Sequence, residues 1–446
     1  MTVSNKPLVV IACATASGHT LPFLPHASHL TKEGFDVSFI SGPDFKNAIE
    51  KTGATFYPTE NIYTAETLQT LEAIPDGPER AIFNIKTNFI DVTATRMKTL
   101  QTVLETLREK HPNRDVVIVQ ELLYMGTWPF ILGASLPNGY DKFPRTIIFG
   151  TGSLLISSID TAPFGPGLPP DSSDEGRARN AAMYSAMKDM DAELIDYANT
   201  VYTKLGATVK VTEPLFDFWT TGHDIMLQPC SSSVEYPRSD LSPKVRFVGG
   251  TPRTEIDPSM PLPGWWNDLK ANKQTASPRK VIFVTQGTFR IDYKELIIPT
   301  IQALADQEDV MVIGVLGVRD ARLDGFEVPS NARVVDYLLY DAVLPYVDVF
   351  VTNGGYGSFT HGIMNGVPMV MAGTGQDKAE VSMRVEWAGI GINLRTDSPT
   401  LEAIRDGVDK ILTDSSFKTR SLEIQCENEE LDCAAALERF IMGAES

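Results

Sequence analysis

Cysteine is scarce in this chain, and long apolar runs are missing from it. Only 4 of the 446 residues are cysteine, and no two of them form a C-x-x-C pair. Closely spaced cysteines mark disulfide frameworks and zinc sites, so their absence favours a reduced cytoplasmic protein. No segment reaches the ~18 consecutive apolar residues that a membrane helix needs, and the first residues lack the basic start of a signal peptide. We therefore expect no membrane span.

Net positive charge and clustered metal ligands are also missing. The formal net charge is −18 at pH 7, which argues against nucleic acids and anionic membranes as partners. The 6 histidines do not stand at metal-ligand spacing, and there is no H-E-x-x-H motif, so we expect no metal ion. The turn after the first apolar run lacks G-x-G-x-x-G, which weakens the hypothesis of a nicotinamide dehydrogenase.

Alternating apolar and amphipathic segments indicate an α/β architecture. Residues 8–13 and 37–41 have the pattern of buried strands, and residues 21–33 between them have the pattern of a helix. This alternation is typical of a parallel sheet. It restarts at residues 281–284, after a stretch at 251–264 that is rich in proline and acidic residues. We therefore predict two doubly wound domains joined by a linker at 251–264.

The most informative segment lies at residues 351–386. An apolar run at 347–352 predicts a buried strand, which ends at Asn353-Gly354-Gly355 and leads into a helix near Tyr356. Free backbone N–H groups and the positive end of the helix dipole meet at such a turn, which makes it an anion site. A second apolar run, which predicts another strand at 367–372, and a polar loop at 373–380 follow. The segment therefore offers a place for a phosphate, with polar side chains within reach of what the phosphate carries.

This turn resembles the nucleotide-sugar signature of the family 1 glycosyltransferases, the UDP-glycosyltransferases, which reads HCGWNS in plants and roughly THGGxGS in bacterial macrolide enzymes. The matching residues are Asn353, Gly354, Gly355, Tyr356, Gly357 and Ser358. The resemblance extends backward through residues 331–345 and 281–288, and forward through residues 376–380. It is closer to the bacterial and fungal branch than to the plant branch.

The resemblance implies the GT-B fold, in which two Rossmann-like domains with doubly wound parallel sheets face each other across a cleft. Residues 1–250 would form the acceptor-binding domain, and residues 265–420 would form the UDP-sugar-binding domain. A helical tail at 421–446 would pack back on the first domain. The sequence does not distinguish a monomer from a homodimer.

The resemblance also implies a set of donor contacts in the second half. Asn353 stands where the family has a phosphate-binding histidine, and His361 stands where it has a ribose-binding glutamate. An asparagine can donate a hydrogen bond to a phosphate but carries no charge, so we expect backbone N–H groups to bear more of the binding. The remaining implied donor residues are Thr288 for the diphosphate, Tyr337 and Leu338 for the uracil, Gly355, Tyr356, Gly357 and Ser358 for the phosphates, and Gln376 and Asp377 for the sugar.

His19 is the candidate catalytic base. It follows the first strand, at the edge where ligands bind in open α/β sheets, and a histidine titrates near neutral pH. By itself the position is equally compatible with a helix cap or a packed histidine. The resemblance favours the base, because the family carries its base in a similar G-H-x-x-P loop. It also implies a supporting acid at Glu121, where the family usually has aspartate, although Glu121 could instead be an ordinary acid at a helix start.

The expected reaction follows from the resemblance. His19 would deprotonate a hydroxyl of a small apolar or phenolic acceptor, which would attack a UDP-sugar, such as UDP-glucose, and give a β-glycoside with inversion. The UDP-sugar would be a co-substrate, and no cofactor is expected. Segments 83–97 and 122–130 are rich in large apolar residues, which suits an acceptor pocket or equally a core. The acceptor candidates there are Phe83, Phe89, Met125 and Trp128.

Two alternatives stay open on the sequence alone. A UDP-sugar epimerase would bind the same nucleotide without an acceptor pocket, and the aromatic first half argues against it. A non-catalytic nucleotide-sugar-binding protein would fit the changed residues Asn353 and His361, but the retained His19 argues against it.

Overall fold

The computed structural model describes residues 6–61, 64–75, 77–254, 256, 260–287 and 291–444. In these ranges the strands form two sheets, and every strand pairing is parallel. The first sheet contains β1 (Leu8–Ala12), β2 (Val37–Ser41), β3 (Thr55–Pro58), β4 (Val116–Glu121), β5 (Arg145–Phe149), β6 (Ile225–Gln228) and β7 (Val245–Phe247). The second contains β8 (Lys280–Thr285), β9 (Val310–Val315), β10 (Ala332–Val335), β11 (Val349–Thr352), β12 (Met369–Met371) and β13 (Gly391–Asn393).

Helices cover both faces of these sheets. In the first half they are α1 (Ser17–Thr20), α2 (Phe23–Lys32), α3 (Lys46–Lys51), α4 (Ala65–Ala73), α5 (Pro78–Ile85), α6 (Thr93–Lys110), α7 (Trp128–Ile131), α8 (Asp174–Ala186), α9 (Lys188–Lys204) and α10 (Leu215–Thr221). In the second half they are α11 (Trp266–Asn272), α12 (Ile297–Ala303), α13 (Tyr340–Val343), α14 (Tyr356–Met364), α15 (Lys378–Trp387), α16 (Leu401–Thr413), α17 (Ser415–Leu431) and α18 (Cys433–Ile441). A π-helical turn, Lys86–Ile90, and three 3₁₀ turns complete the list: Pro43–Phe45, Ser232–Val234 and Leu344–Tyr346.

The strand order fixes where a ligand can bind. The first sheet runs β3-β2-β1-β4-β5-β6-β7, and the second runs β10-β9-β8-β11-β12-β13. In each sheet the order reverses beside the first strand of that half, between β1 and β4 and between β8 and β11. Ligands of open α/β sheets bind beyond the carboxyl ends of the strands at this switch point. The predicted fold class, two doubly wound parallel sheets, is confirmed.

The central strands form because their residues are apolar on both faces. All five residues of β1 and all six of β9 are buried, as helices covering both sides of a parallel sheet require. The predicted strand at 367–372 is shorter in the structure, where only Met369–Met371 pairs with its neighbours. Within the described ranges every helix is too short or too polar to span a lipid bilayer.

The end of the chain packs on both halves. Helix α17 contacts α14 in the second half, whereas α18 contacts α2 in the first half. Leu437 and Phe440 of α18 join the core beneath the first sheet, and Arg145 Nη1 donates to the carbonyl of Phe440 at 2.6 Å. The predicted tail at 421–446 therefore begins inside α17, and α18 is the helix that lies on the first half.

Candidate active site

His19 and Glu121 meet at the switch point of the first sheet. His19 lies in α1 directly beyond β1, and Glu121 is the last residue of β4. Nδ1 of His19 lies 2.8 Å from Oε1 of Glu121, and the glutamate side chain is 0% exposed whereas the histidine is 29% exposed. Thr151 donates to the same carboxylate oxygen at 2.8 Å, and the N–H of Leu123 donates to the other at 3.0 Å. The carboxylate is thus held rigidly while one edge of the imidazole remains accessible.

The electrostatics of this pair suit a base. Burial alone would lower the pKa of His19, but the charge and hydrogen bond of Glu121 outweigh burial, so the pKa is raised. Burial would likewise raise the pKa of Glu121, but the charge of His19 and the donated hydrogen bonds lower it. An ionised Glu121 accepts a hydrogen bond from Nδ1–H of His19. The proton is then on Nδ1, and the lone pair of Nε2 can accept a proton from a substrate.

Open space lies in front of helix α14. A methyl group added at Gly355 or Gly357 would meet no atom within 4 Å, and the same is true at Gly287 beyond β8. These positions surround the first turn of α14, where backbone N–H groups have no partner inside the helix. The arrangement therefore leaves room for an anion at this helix start.

Asn353 is partly committed to the fold. Its Nδ2 donates to the carbonyl of Gln286 at 2.6 Å, which ties the end of β11 to the end of β8. One of its two donor hydrogens is therefore used by the protein itself. Thr288, two residues beyond Gln286, lies outside the described residues.

Three of the predicted donor residues turn toward the core. The side chain of Tyr356 is 7% exposed and packs in the core of the second half, where its hydroxyl accepts a hydrogen bond from Gln228 Nε2 at 2.8 Å. Leu338 is 4% exposed in the same core, and Ser358 is 7% exposed. The first helical turn thus points the Tyr356 ring toward the other half of the protein, and the phosphate contact predicted at this position would be made by its backbone N–H group. Tyr337 is half-buried, with the guanidinium of Arg319 4.4 Å above its ring.

His361 forms a pair that the sequence did not indicate. Its Nδ1 lies 2.9 Å from Oδ1 of Asp341, which is 2% exposed whereas the histidine side chain is 36% exposed. Asp341 also accepts hydrogen bonds from Asn365 Nδ2 and from the N–H of Thr254 in the predicted linker. Burial would raise the pKa of Asp341, but the bond and charge of His361 lower it. The signal that could have found Asp341 is its place in the matched segment 331–345.

Asp377 lies at the N-cap position of α15, without a side-chain capping hydrogen bond. The preceding residue, Gln376, has a left-handed φ of 57° and an exposed side chain. Burial raises the pKa of Asp377. The negative charge of Asp377 attracts the positive charge of a protonated His19 and so contributes to the raised pKa of His19. The candidate sugar-binding acid of the second half therefore acts on the candidate base of the first half.

The four predicted acceptor residues differ in burial. Met125 and Trp128 are 0% exposed, and the Trp128 ring packs 4.4 Å from that of Phe218 and 4.3 Å from that of His223, between ring centroids. Both side chains pack in a core cluster with residues of α9 and α10, so in this structure neither reaches the surface of a pocket. Phe89 is 9% exposed, and Phe83 is half-buried.

No group of three or more histidine, cysteine, aspartate or glutamate side chains that could hold a metal ion occurs in the described part of the chain.

Comparisons with known proteins identify the family of this chain. Residues 300–435 match the family model of the C-terminal domain of erythromycin biosynthesis protein CIII-like proteins. The chain is 41% identical to UDP-glucosyltransferase 1 of Beauveria bassiana, over 98% of this chain and 95% of that protein. It is 34% identical to UDP-glucosyltransferase A1 of Starmerella bombicola, over 98% and 92%, and 32% identical to 4'-demethylrebeccamycin synthase of Lentzea aerocolonigenes, over 94% and 95%.

Solved structures give the same fold. The glycotransferase of kitacinnamycin superposes with a TM-score of 0.71 at 18% identity, covering 98% of both chains. The calicheamicin glycosyltransferase CalG4 superposes with a TM-score of 0.68 at 15% identity, covering 99% of this chain and 98% of that one. The epimerase and the non-catalytic binding protein are not favoured by these relatives. Because curated relatives above 30% identity span nearly the whole chain, it belongs to the family 1 UDP-glycosyltransferases, hexosyltransferases with the GT-B fold.

Proposed function

We propose that this protein transfers glucose from UDP-glucose to a hydroxyl group of a small apolar or phenolic acceptor, with inversion to a β-glycoside. The observation that carries the proposal is the hydrogen bond of His19 to the buried Glu121 at the edge of the cleft. The choice of glucose is supported by the names of relatives such as UDP-glucosyltransferase 1.

His19 acts as the general base in this proposal. Its Nε2 accepts the proton of the acceptor hydroxyl while the oxygen forms a bond to the anomeric carbon of the sugar. The bond from that carbon to the diphosphate breaks, and UDP leaves with the electron pair. Attack from the face opposite UDP inverts an α-linked sugar to the β configuration. Glu121 stabilises the imidazolium that forms, as a buried carboxylate does in a catalytic triad.

The start of α14 stabilises the departing diphosphate. Open space adjoins the Cα atoms of Gly355 and Gly357, the N–H groups of this first turn have no acceptor inside the helix, and the helix dipole adds positive potential in a chain of net charge −18. We propose that these groups, together with Asn353, stabilise the negative charge of the departing UDP without a metal ion. Asp377 binds hydroxyl groups of the sugar.

The acceptor enters from the first half. Phe83 keeps an accessible part of its ring on α5, and Thr151 begins the loop that follows β5 beside the base. An apolar or aromatic acceptor would be held by such surfaces, with its hydroxyl directed at His19.

UDP release from UDP-glucose tests the proposal with a panel of phenolic, polyketide and sterol acceptors. We expect acceptor-dependent release in the wild type and its loss, by about 10²-fold or more, in His19→Ala. The coupling constant of the product's anomeric proton reports the β configuration, and retention of activity in EDTA reports independence from metal. Equal rates in the wild type and in His19→Ala would remove His19 from the mechanism.

A further inference from the structure

Helix α15 is fastened to the first half of the protein by a buried ionic network. Arg384 donates through Nε to both oxygens of Glu235, at 3.0 and 2.9 Å, and through Nη1 to Oε2 of Glu380 at 2.9 Å. The side chains of Arg384, Glu235 and Glu380 are 3%, 2% and 6% exposed. Charges this deeply buried destabilise a protein unless each is paired and hydrogen-bonded, and here each is.

Glu380 uses its second oxygen to hold a loop of the first half. Its Oε1 accepts hydrogen bonds from the backbone N–H groups of Gly165 at 2.8 Å and of Gly167 at 2.9 Å. Gly167 has a φ of +61°, and a methyl group added there would lie 2.6 Å from the carbonyl oxygen of Ala379. The loop therefore lies flat against the first turn of α15, at a distance that only glycine permits.

The same loop begins at the candidate base. Thr151, its second residue after β5, donates to Glu121 at 2.8 Å and lies 3.3 Å from Nδ1 of His19. Helix α15 in turn begins at Asp377, whose charge acts on His19. Residues 151–167 and α15 thus connect His19, the candidate base of the first half, with Asp377, the candidate sugar-binding acid of the second half.

We propose that Glu380 and Arg384 are positioning residues for glycosyl transfer, which hold loop 151–167 against α15 and so fix the distance between His19 and the bound donor sugar. This inference rests on the proposed function. Neither side chain contacts the reacting atoms. Their effect is geometric, because a displacement of about 1 Å between reacting groups lowers a rate by about 10²-fold.

Gly167→Ala is the sharpest test, because it separates the loop from α15 without removing any charge. We expect kcat for transfer to fall about 10- to 100-fold, while the dissociation constant of UDP changes little. Glu380→Ala should behave in the same way. Gly34→Ala is the matched control: Gly34 has a φ of +83°, and an added methyl group would meet no atom within 4 Å. It should show the strain of an alanine in this conformation and leave kcat unchanged.

Arg384 supplies an independent pair of variants. Arg384→Lys keeps the charge and loses the forked geometry, so we expect it to retain more of kcat than Arg384→Met does. The positioning role is wrong if Gly167→Ala and Glu380→Ala keep the wild-type kcat, or if UDP affinity and the melting temperature fall in parallel with kcat. The rate of the wild type, measured in the same series, tests the proposed function separately.

Discussion

At the scale of single residues, Glu121 controls the proton affinity of His19. Its charge raises the pKa of the imidazole, so Glu121→Gln should lower that pKa and move the acidic limb of the kcat/KM profile to lower pH. The same substitution should lower kcat by about 10²-fold or more, because the imidazolium loses its counter-ion. The measurement is the pH dependence of UDP release at substrate concentrations below KM, which gives kcat/KM, and at saturation, which gives kcat.

Thr151→Val is the control for this change. It removes a hydrogen bond to Glu121 and keeps the carboxylate charge, so the acidic limb should move less than in Glu121→Gln. A limb that stays fixed in Glu121→Gln, or moves to higher pH, would contradict the assignment of that limb to His19.

Residues of the site differed in how readily the sequence revealed them. His19 and Glu121 were predictable because each directly follows or ends a buried strand, and neighbouring parallel strands bring such positions together. The sequence did not reveal that Trp128 is buried in the core, because an apolar pocket wall and a core have the same composition. The Arg384–Glu235 bond joins residues 149 positions apart, and no local pattern encodes such a pairing.

At the scale of elements, the first turn of α14 combines weak helix propensity with open space. Glycine inside a helix is less stable than alanine by roughly 0.5–1 kcal/mol, yet Gly357 stands in this turn with no neighbour that would obstruct a methyl group. We infer that residue 357 is a glycine because a larger side chain would occupy the space of the bound diphosphate. Gly357→Ala should keep or raise the melting temperature and weaken UDP binding, because the methyl group enters the space in front of the amides.

Calorimetry of UDP binding and of thermal unfolding measures both effects in one preparation. Gly264→Ala is the comparison, since a methyl group added there also meets no atom within 4 Å and Gly264 lies outside the candidate site. Unchanged UDP affinity in Gly357→Ala would place the diphosphate elsewhere.

The elements themselves were predictable to the extent that they are buried. The strand at 37–41 was predicted with the observed bounds, and the run at 347–352 contains the observed strand Val349–Thr352, because the residues of both strands are mostly apolar and are buried throughout. The edge strands β3 and β13 were not predicted. Both are short and half-exposed, with the sequences TFYP and GIN, so neither shows an apolar run. The tail was predicted as one helical segment, and its break comes from Asp432, whose φ is 46°.

At the scale of the whole molecule, buried neutral histidines tie stability to pH. His26 lies on α2, with its ring 4.7 Å from that of Phe149 in β5 and its Nε2 4.0 Å from the sulfur of Cys433 in α18. Burial lowers the pKa of His26 to about 3, and it lowers that of His223 to about 3 as well. In the unfolded chain a histidine titrates near 6.5, so between these values the unfolded state binds more protons than the folded state.

The sign of the effect follows directly: stability rises with pH across this window and is lost as the pH falls below about 6.5. Lowering the pH from 7.0 to 5.5 should reduce the free energy of unfolding by about 1 kcal/mol for each of these two histidines. Both conditions lie above the isoelectric point of 4.8. The pKa values of Glu121 and Glu235 are lowered, so these residues also make stability fall with falling pH, but only below the ordinary glutamate pKa. The pKa of His19 is raised, so its contribution to stability falls as the pH rises.

His26→Leu separates this contribution from general acid effects. The substitution replaces a buried ring, one of whose nitrogens has no hydrogen-bond partner, with an apolar side chain of similar size, so the loss of stability between pH 7.0 and 5.5 should shrink by about 1 kcal/mol. Urea unfolding at the two pH values measures it, with His111→Leu, outside the core at the end of α6, as the matched control. Helix α18 follows the second half and packs on α2 of the first half, where it covers His26. Protonation of His26 would therefore weaken the packing of α18 on the first half. An equal pH effect in the wild type and in His26→Leu would show that this histidine is not neutral in the folded protein.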